Sequence, residues 1–156
     1  MFKLNLNIIL IKHKHYLIDL LIMNTMYFDG ASRGNPGIAS FGGVIYDEDK
    51  HEIINYKKKI GFTTNNVAEY KGLLAGIKVC IKYKIRKIIV YGDSKLAIEQ
   101  VNGNWKVRSA NLKPIYDEII SLITPENFDK ITFEHVRRQF NKRADELANV
   151  ALDNAN

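Results

Sequence analysis

The order of β-rich and helical segments predicts an α/β domain, a five-stranded mixed sheet with helices on both faces. Two observations carry this. Three β-rich runs come first with turn-forming residues between them, which suits antiparallel pairing. Strand and helix patterns then alternate, which suits parallel strands joined by crossovers.

Each element has its own local reason. Residues 25–28 (TMYF) are a short apolar run ending at Asp29-Gly30. The stretch 30–37 (GASRGNPG) is dense in turn formers and reads as a loop. Residues 38–46 are a second β-rich run, 47–50 (DEDK) a polar hairpin turn, and 51–61 an alternating return strand. Thr64-Asn65-Asn66 opens a helix that reaches about Lys82, with an Asn or Thr as its N-cap. Its apolar stripe is Leu73, Leu74, Ile77, Cys80 and Ile81. The small residues Gly72, Ala75 and Gly76 imply close approach by another element. Residues 86–91 (RKIIVY) are a short buried strand. Asp93-Ser94 caps a helix at 95–101, and Asn102-Gly103-Asn104 stops it. Residues 109–123 form a third helix with Pro114 in its first turn, 131–136 a last strand, and 141–152 a final helix.

Composition narrows the class. The chain has 156 residues, 46% hydrophobic and 26% charged, which suits one globular domain and excludes disorder. A single cysteine, Cys80, excludes a disulfide framework and a Cys-based zinc site. It points to a reducing, cytoplasmic setting. The formal net charge of +6 weakly favours a polyanionic partner.

Residues 1–23 stand apart from the domain at 24–156. They are apolar in two pieces, 7–11 and 16–23, split by Lys12-His13-Lys14-His15. Neither piece is long enough to span a membrane, and no membrane partner is expected. No continuous apolar stretch with a small-residue cleavage site marks a signal peptide. It reads as an added helix or strand packed on the domain, a disordered extension or a misassigned start, and the last two are favoured because no cap or turn joins it to the domain.

Ligands of such sheets gather beyond the carboxyl ends of parallel strands. Asp29 ends the first strand and Asp93 lies just past the fourth. Glu69 sits in the first turns of the first helix, and Asp145 near the start of the last. Singly, these are ordinary cap, turn or dipole residues. Clustered, they repel one another and raise each other's pKa unless a divalent cation neutralises them. Oxygen donors select magnesium or manganese. Two such ions about 4 Å apart stabilise both the attacking and the leaving oxygen in phosphodiester hydrolysis.

Four stretches, 29–37 (DGASRGNPG), 64–69 (TNNVAE), 91–94 (YGDS) and 141–148 (NKRADELA), closely resemble type 1 ribonuclease H. The resemblance runs from Thr25 to about Asp153, and four motifs in order make it specific. It implies the ribonuclease H-like fold. It implies an endonuclease that uses two Mg²⁺ ions, replaceable by Mn²⁺, to cut the RNA strand of an RNA–DNA hybrid, leaving 5′-phosphate and 3′-hydroxyl ends. The family's catalytic carboxylates fall on Asp29, Glu69, Asp93 and Asp145, with Asp29 bridging both metals and Asp145 holding the second. The resemblance sets Gly30, Ser32, Asn66 and the Glu69 side chain along the RNA sugars. It sets Asn35, Thr64 and Asn65 at a DNA phosphate. A monomer is expected.

The pattern also has departures. Residues 102–110 are too short for the basic helix-and-loop protrusion of the best-known members. Lys95 stands where many members carry Gln, and a phosphate contact there replaces an amide contact. The link after the last strand, Arg137-Arg138-Gln139-Phe140, lacks the family's mobile histidine. Shorter-loop members use a basic residue, which makes Arg138 the candidate and Arg137 the second. Such members sometimes also cut double-stranded RNA, so that substrate stays open. His135 falls inside the strand pattern and reads as structural. Trp105, Lys106 and Arg108 lie where the DNA strand would run, although Trp105 reads equally as core.

Overall fold

The computed structural model describes residues 2–154. Met1, where the extension begins, and the last two residues of the 24–156 domain lie outside the described residues. The elements are α1 (Phe2–Leu21), β1 (Asn24–Gly34), β2 (Gly37–Tyr46), β3 (Glu52–Thr63), α2 (Asn65–Lys82), β4 (Lys87–Gly92), α3 (Lys95–Val101), α4 (Lys113–Leu122), β5 (Lys130–His135) and α5 (Lys142–Asp153). A 3-10 turn, Arg138–Phe140, precedes α5.

The strands form one sheet in the order β3-β2-β1-β4-β5. β1 pairs antiparallel with β2, and β2 with β3. β1 and β4 pair parallel, as do β4 and β5. The expected mixed sheet is therefore present, with three antiparallel strands followed by parallel ones. α2 packs on one face, its Leu73 and Ile77 joining Met26, Phe28, Ile88 and Val90 of the sheet at the centre of the core. α5 covers the other face across β1, β2 and β3.

The largest difference from the sequence expectation is at 30–37. β1 continues to Gly34 and β2 starts at Gly37, so only Asn35 and Pro36 stand between the strands. Pairing persists through Ala31↔Ser40, Ser32↔Ala39 and Arg33↔Ile38. Turn-forming residues here sit in ladder positions, because both strands reach past the sheet edge together.

Thr64 is the N-cap of α2; its side chain accepts from the Val67 amide at 3.2 Å. Ser94 caps α3 and accepts from Ala97 at the same distance. α4 begins four residues later than periodicity suggests, with Pro114 in its first turn. The small residues of α2 do mark a close approach. A Cβ on Gly72 would lie 3.2 Å from the Asp29 carbonyl oxygen, and one on Gly76 would strike the Tyr56 hydroxyl and the Met26 sulfur.

α1 carries exposed apolar side chains, among them Ile9, Leu10 and Ile11. The Lys130 ammonium lies 5.2 Å from the Tyr16 ring centre. Met23, by contrast, is buried in the domain. Among the described residues, no helix is long and apolar enough to cross a membrane.

Candidate active site

The site forms where β1 and β4 end side by side. Phe28 and Gly92 are partners in the parallel register, and Asp29 and Asp93 are the residues that follow them. Their carboxylates thus leave the sheet at one edge. Glu69 arrives from the first turns of α2, and Gly30 makes that approach possible. A Cβ on Gly30 would lie 2.4 Å from the Glu69 backbone nitrogen. One oxygen from each of Asp29, Glu69 and Asp93 lies within 4.8 Å of the others.

Asp145 reaches the same cavity from the start of α5. Its helix is held there by Asn141, a buried residue whose side-chain amide donates to the Phe28 carbonyl at 2.9 Å. That bond ties the beginning of α5 to the strand that carries Asp29. Further along, the Ser40 hydroxyl donates to the Ala148 carbonyl, and Gly42 lets the Ala148 backbone come close. Asn149 donates to the Asp145 carboxylate at 3.1 Å, and Arg138 lies 3.7 Å from it.

These acids are held in an unfavourable state. Burial, with the Asp93 charge next, pushes the Asp29 carboxyl up to about 8. Burial and the Asp29 charge push Glu69 well above the usual carboxylate range. Glu69 Oε2 is buried without a hydrogen-bond partner among the described residues. Three clustered carboxylates, one with an orphaned oxygen, are a donor set of hard anionic oxygens, which fits Mg²⁺ or Mn²⁺.

A cavity of about 330 Å³ brings together Asp29, Gly30, Ser32, Asn65, Glu69, Asp93, Arg138 and Asp145. It does not include Asn35, Thr64, Asn66 or Lys95. Asn35 is one step away, its side-chain oxygen accepting from the Asn65 amide at 3.1 Å. Thr64 caps the same helix, Asn66 is exposed, and Lys95 is exposed at the start of α3. A larger cleft lies under Tyr27, Tyr46 and Tyr91, away from the acid cluster.

Sequence reasoning passed over Asn141 and Asn149. Asn141 had a visible signal, an Asn before a helix, but not its bond to a strand 113 residues away. His135, read as structural, lies at the end of β5. The ring is exposed, and its Nε2 lies 3.2 Å from the Asp93 carbonyl oxygen. β5 is an edge strand, so its end has no neighbour to bury the ring. Trp105 is also exposed rather than core.

The chain matches the reverse transcriptase-like family over residues 27–151. It is 43% identical over 128 residues to the bifunctional protein Rv2228c of Mycobacterium tuberculosis, covering 81% of this chain and 35% of that one. The chain thus spans about a third of that relative's length. It is 35% identical over 143 residues to ribonuclease H of Francisella philomiragia, covering 81% of this chain and 88% of the relative. Its fold superposes on LC11-RNase H1, solved in complex with an RNA/DNA hybrid, with a TM-score of 0.78. That match has 36% identity and covers 83% of this chain and 96% of the other.

Proposed function

Because the chain belongs to the ribonuclease H family, we propose that it hydrolyses the RNA strand of RNA–DNA hybrids endonucleolytically, leaving 5′-phosphate and 3′-hydroxyl ends. The observation that carries this is the convergence of Asp29, Glu69 and Asp93 within 4.8 Å, with Asp145 in the same cavity. Two Mg²⁺ ions fit the reading. Asp29, Glu69 and Asp93 would hold one, and Asp29 and Asp145 the other. Bound there, the ions supply charge neutralisation at the attacking and leaving oxygens.

The chain's own residues do the rest. The carboxylates of Asp29 and Glu69 are buried, and groups fixed in place before substrate arrives need no reorganisation during the reaction. Gly30, Ser32 and Asn66 lie on the RNA side with Glu69, and the 2′-hydroxyl is the group that distinguishes RNA from DNA there. Asn35, Thr64 and Asn65 form a connected group that suits a phosphate of the DNA strand. Lys95, Trp105, Lys106 and Arg108 are exposed and suit backbone contacts. Such contacts make affinity fall with salt. Arg138 takes the part of the missing loop histidine beside Asp145. All four acids come from one chain, so a monomer is the working unit. A cytoplasmic setting suits the single, buried, free cysteine.

The test is cleavage of labelled RNA–DNA hybrid, double-stranded RNA and double-stranded DNA in Mg²⁺ or Mn²⁺, beside Asp29→Asn and Asp93→Asn. Hybrid cleavage is expected, reduced at least about a hundredfold in either variant. Wild-type cutting by both variants defeats the assignment. The double-stranded RNA arm decides whether that second substrate is also cut.

A further inference from the structure

Ile38 and Phe62 are register partners on β2 and β3, and they are 42% and 71% exposed. Antiparallel partners project to the same face of a sheet. On β2 that face is the one toward α5, because Ser40 donates to the Ala148 carbonyl and Gly42 abuts the Ala148 backbone. Ile38 precedes Ser40 by two residues and shares its side. The partners of Ser40 and Gly42 are Lys59 and Lys57, both exposed. A cavity of about 540 Å³ joins Ile38, Lys57 and Lys59 to Ala151 of α5. Gly61, at φ +82° with open space around it, lies beside Phe62.

The patch adjoins the acid site. Asn65, three residues after Phe62, lines the acid cavity. Three residues span at most about 11 Å. The Phe62 backbone therefore lies within about 11 Å of a residue that lines the acid cavity.

Lysines on an edge strand alone are an ordinary guard against edge-to-edge pairing. Phe62 does not fit that explanation, since an exposed ring on an edge invites association. Aromatic rings interleaved with cations are the surface that single-stranded nucleic acid uses, bases stacking and phosphates pairing.

We propose that Phe62 and Ile38, with Lys57 and Lys59, form a docking platform for a single-stranded DNA extension of the hybrid substrate. DNA is the strand it fits. The apolar pair offers a 2′-hydroxyl no hydrogen-bond partner, and covering that group without one is costly. The platform rests on the hybrid-cleaving reading above and adds a specificity to it.

The test compares a blunt hybrid with hybrids of equal duplex length carrying an eight-nucleotide single-stranded tail, about the size that such platforms cover. The tail is DNA or RNA, at either end of its strand. Binding is read by fluorescence anisotropy with Ca²⁺ in place of Mg²⁺, and cleavage of the blunt hybrid separately in Mg²⁺. A DNA tail is expected to tighten binding at least about fivefold. Phe62→Ala abolishes that gain, Phe62→Trp keeps it, and Lys57→Gln with Lys59→Gln lowers it. Blunt-hybrid cleavage stays the same in all of them. No gain from the tail, or a gain that survives Phe62→Ala, overturns the platform. An RNA tail that gains as much as DNA overturns the strand assignment. Failure of the wild-type protein to cut blunt hybrid defeats the active-site reading instead, and the binding measurement keeps the two failures apart.

Discussion

Gly30 and Glu69 meet backbone to backbone: a Cβ on Gly30 would sit 2.4 Å from the Glu69 nitrogen and 2.7 Å from the Ala68 carbonyl carbon. Neither atom belongs to a flexible side chain, so α2 itself must shift to admit a methyl group. Gly30→Ala is expected to displace Glu69 from Asp29. Overpacking of this kind costs about 1–3 kcal/mol. The measurements are thermal melting and hybrid cleavage. A variant with wild-type Tm and wild-type kcat would show that this contact is not what sets the acids.

Asn141 is the corresponding tie on the other face. Its amide donates to the Phe28 carbonyl, one residue before Asp29 and four before Asp145 on the helix side. Asn141→Ala leaves that carbonyl unpaired in a buried place, at about 1–3 kcal/mol. At roughly 2–4 °C per kcal/mol for a domain of this size, Tm falls by several degrees. Hybrid cleavage falls as well, since Asp145 loses its anchor. Full activity alongside a lowered Tm would confine Asn141 to stability.

How far all this was legible differs from residue to residue. Asp29 and Asp93 could be placed together because two parallel strands must end at one edge, whatever the side-chain details. The stripe of α2 and its small residues announced a core face and a close approach. The stretch 30–37 misled, because glycine and serine mark turns by propensity and yet remain free to pair when a partner strand runs alongside. His135 does lie in the last strand, with its ring against the Asp93 carbonyl, but its exposure was not legible, because whether a strand face is covered depends on the sheet order. Asn141 was hidden because its bond partner is distant in sequence, and nothing local names it.

Arg138 lies 3.7 Å from Asp145, with most of its side chain in solvent. An ion pair so exposed contributes little to stability. Arg138→Ala is therefore expected to melt like the wild type, while kcat on hybrid falls by roughly tenfold, a smaller loss than for a metal-binding acid. Arg138→Lys restores part of it. Unchanged kcat in Arg138→Ala would leave the histidine's part in this site to another residue.

The boundary of the domain is testable by truncation. α1 presents apolar side chains to solvent, while Met23 is 3% exposed and packs with the domain. A protein that starts at Met23 is expected to keep hybrid cleavage and Tm, and to be more soluble. One that starts after Met23 loses stability by about 2–5 kcal/mol, as for a buried methionine removed from a core. Loss of activity in the first truncation would make α1 part of the working enzyme.

The acid cluster also predicts how stability responds to pH and to metal. Asp29 is held at about 8 against an ordinary 3.8, chiefly by burial, and Glu69 is pushed in the same direction. Raised carboxyl values mean that the folded protein keeps protons which the unfolded chain has already released. That contribution to stability is complete below the unfolded pKa, near 4, and is lost as pH rises towards 8. Asp29→Asn has no such proton to lose. With EDTA present, Tm of the wild-type protein is therefore expected to fall relative to Asp29→Asn between about pH 5 and pH 8. Mg²⁺ is expected to bind the ionised form and to reverse most of that fall at the alkaline end, releasing protons as it does so. Melting curves across the range, with and without Mg²⁺, measure both effects. Parallel curves for the two proteins in EDTA would mean that burial and the neighbouring acids do not hold the Asp29 carboxyl up, and the case for a cation there would lose its electrostatic basis.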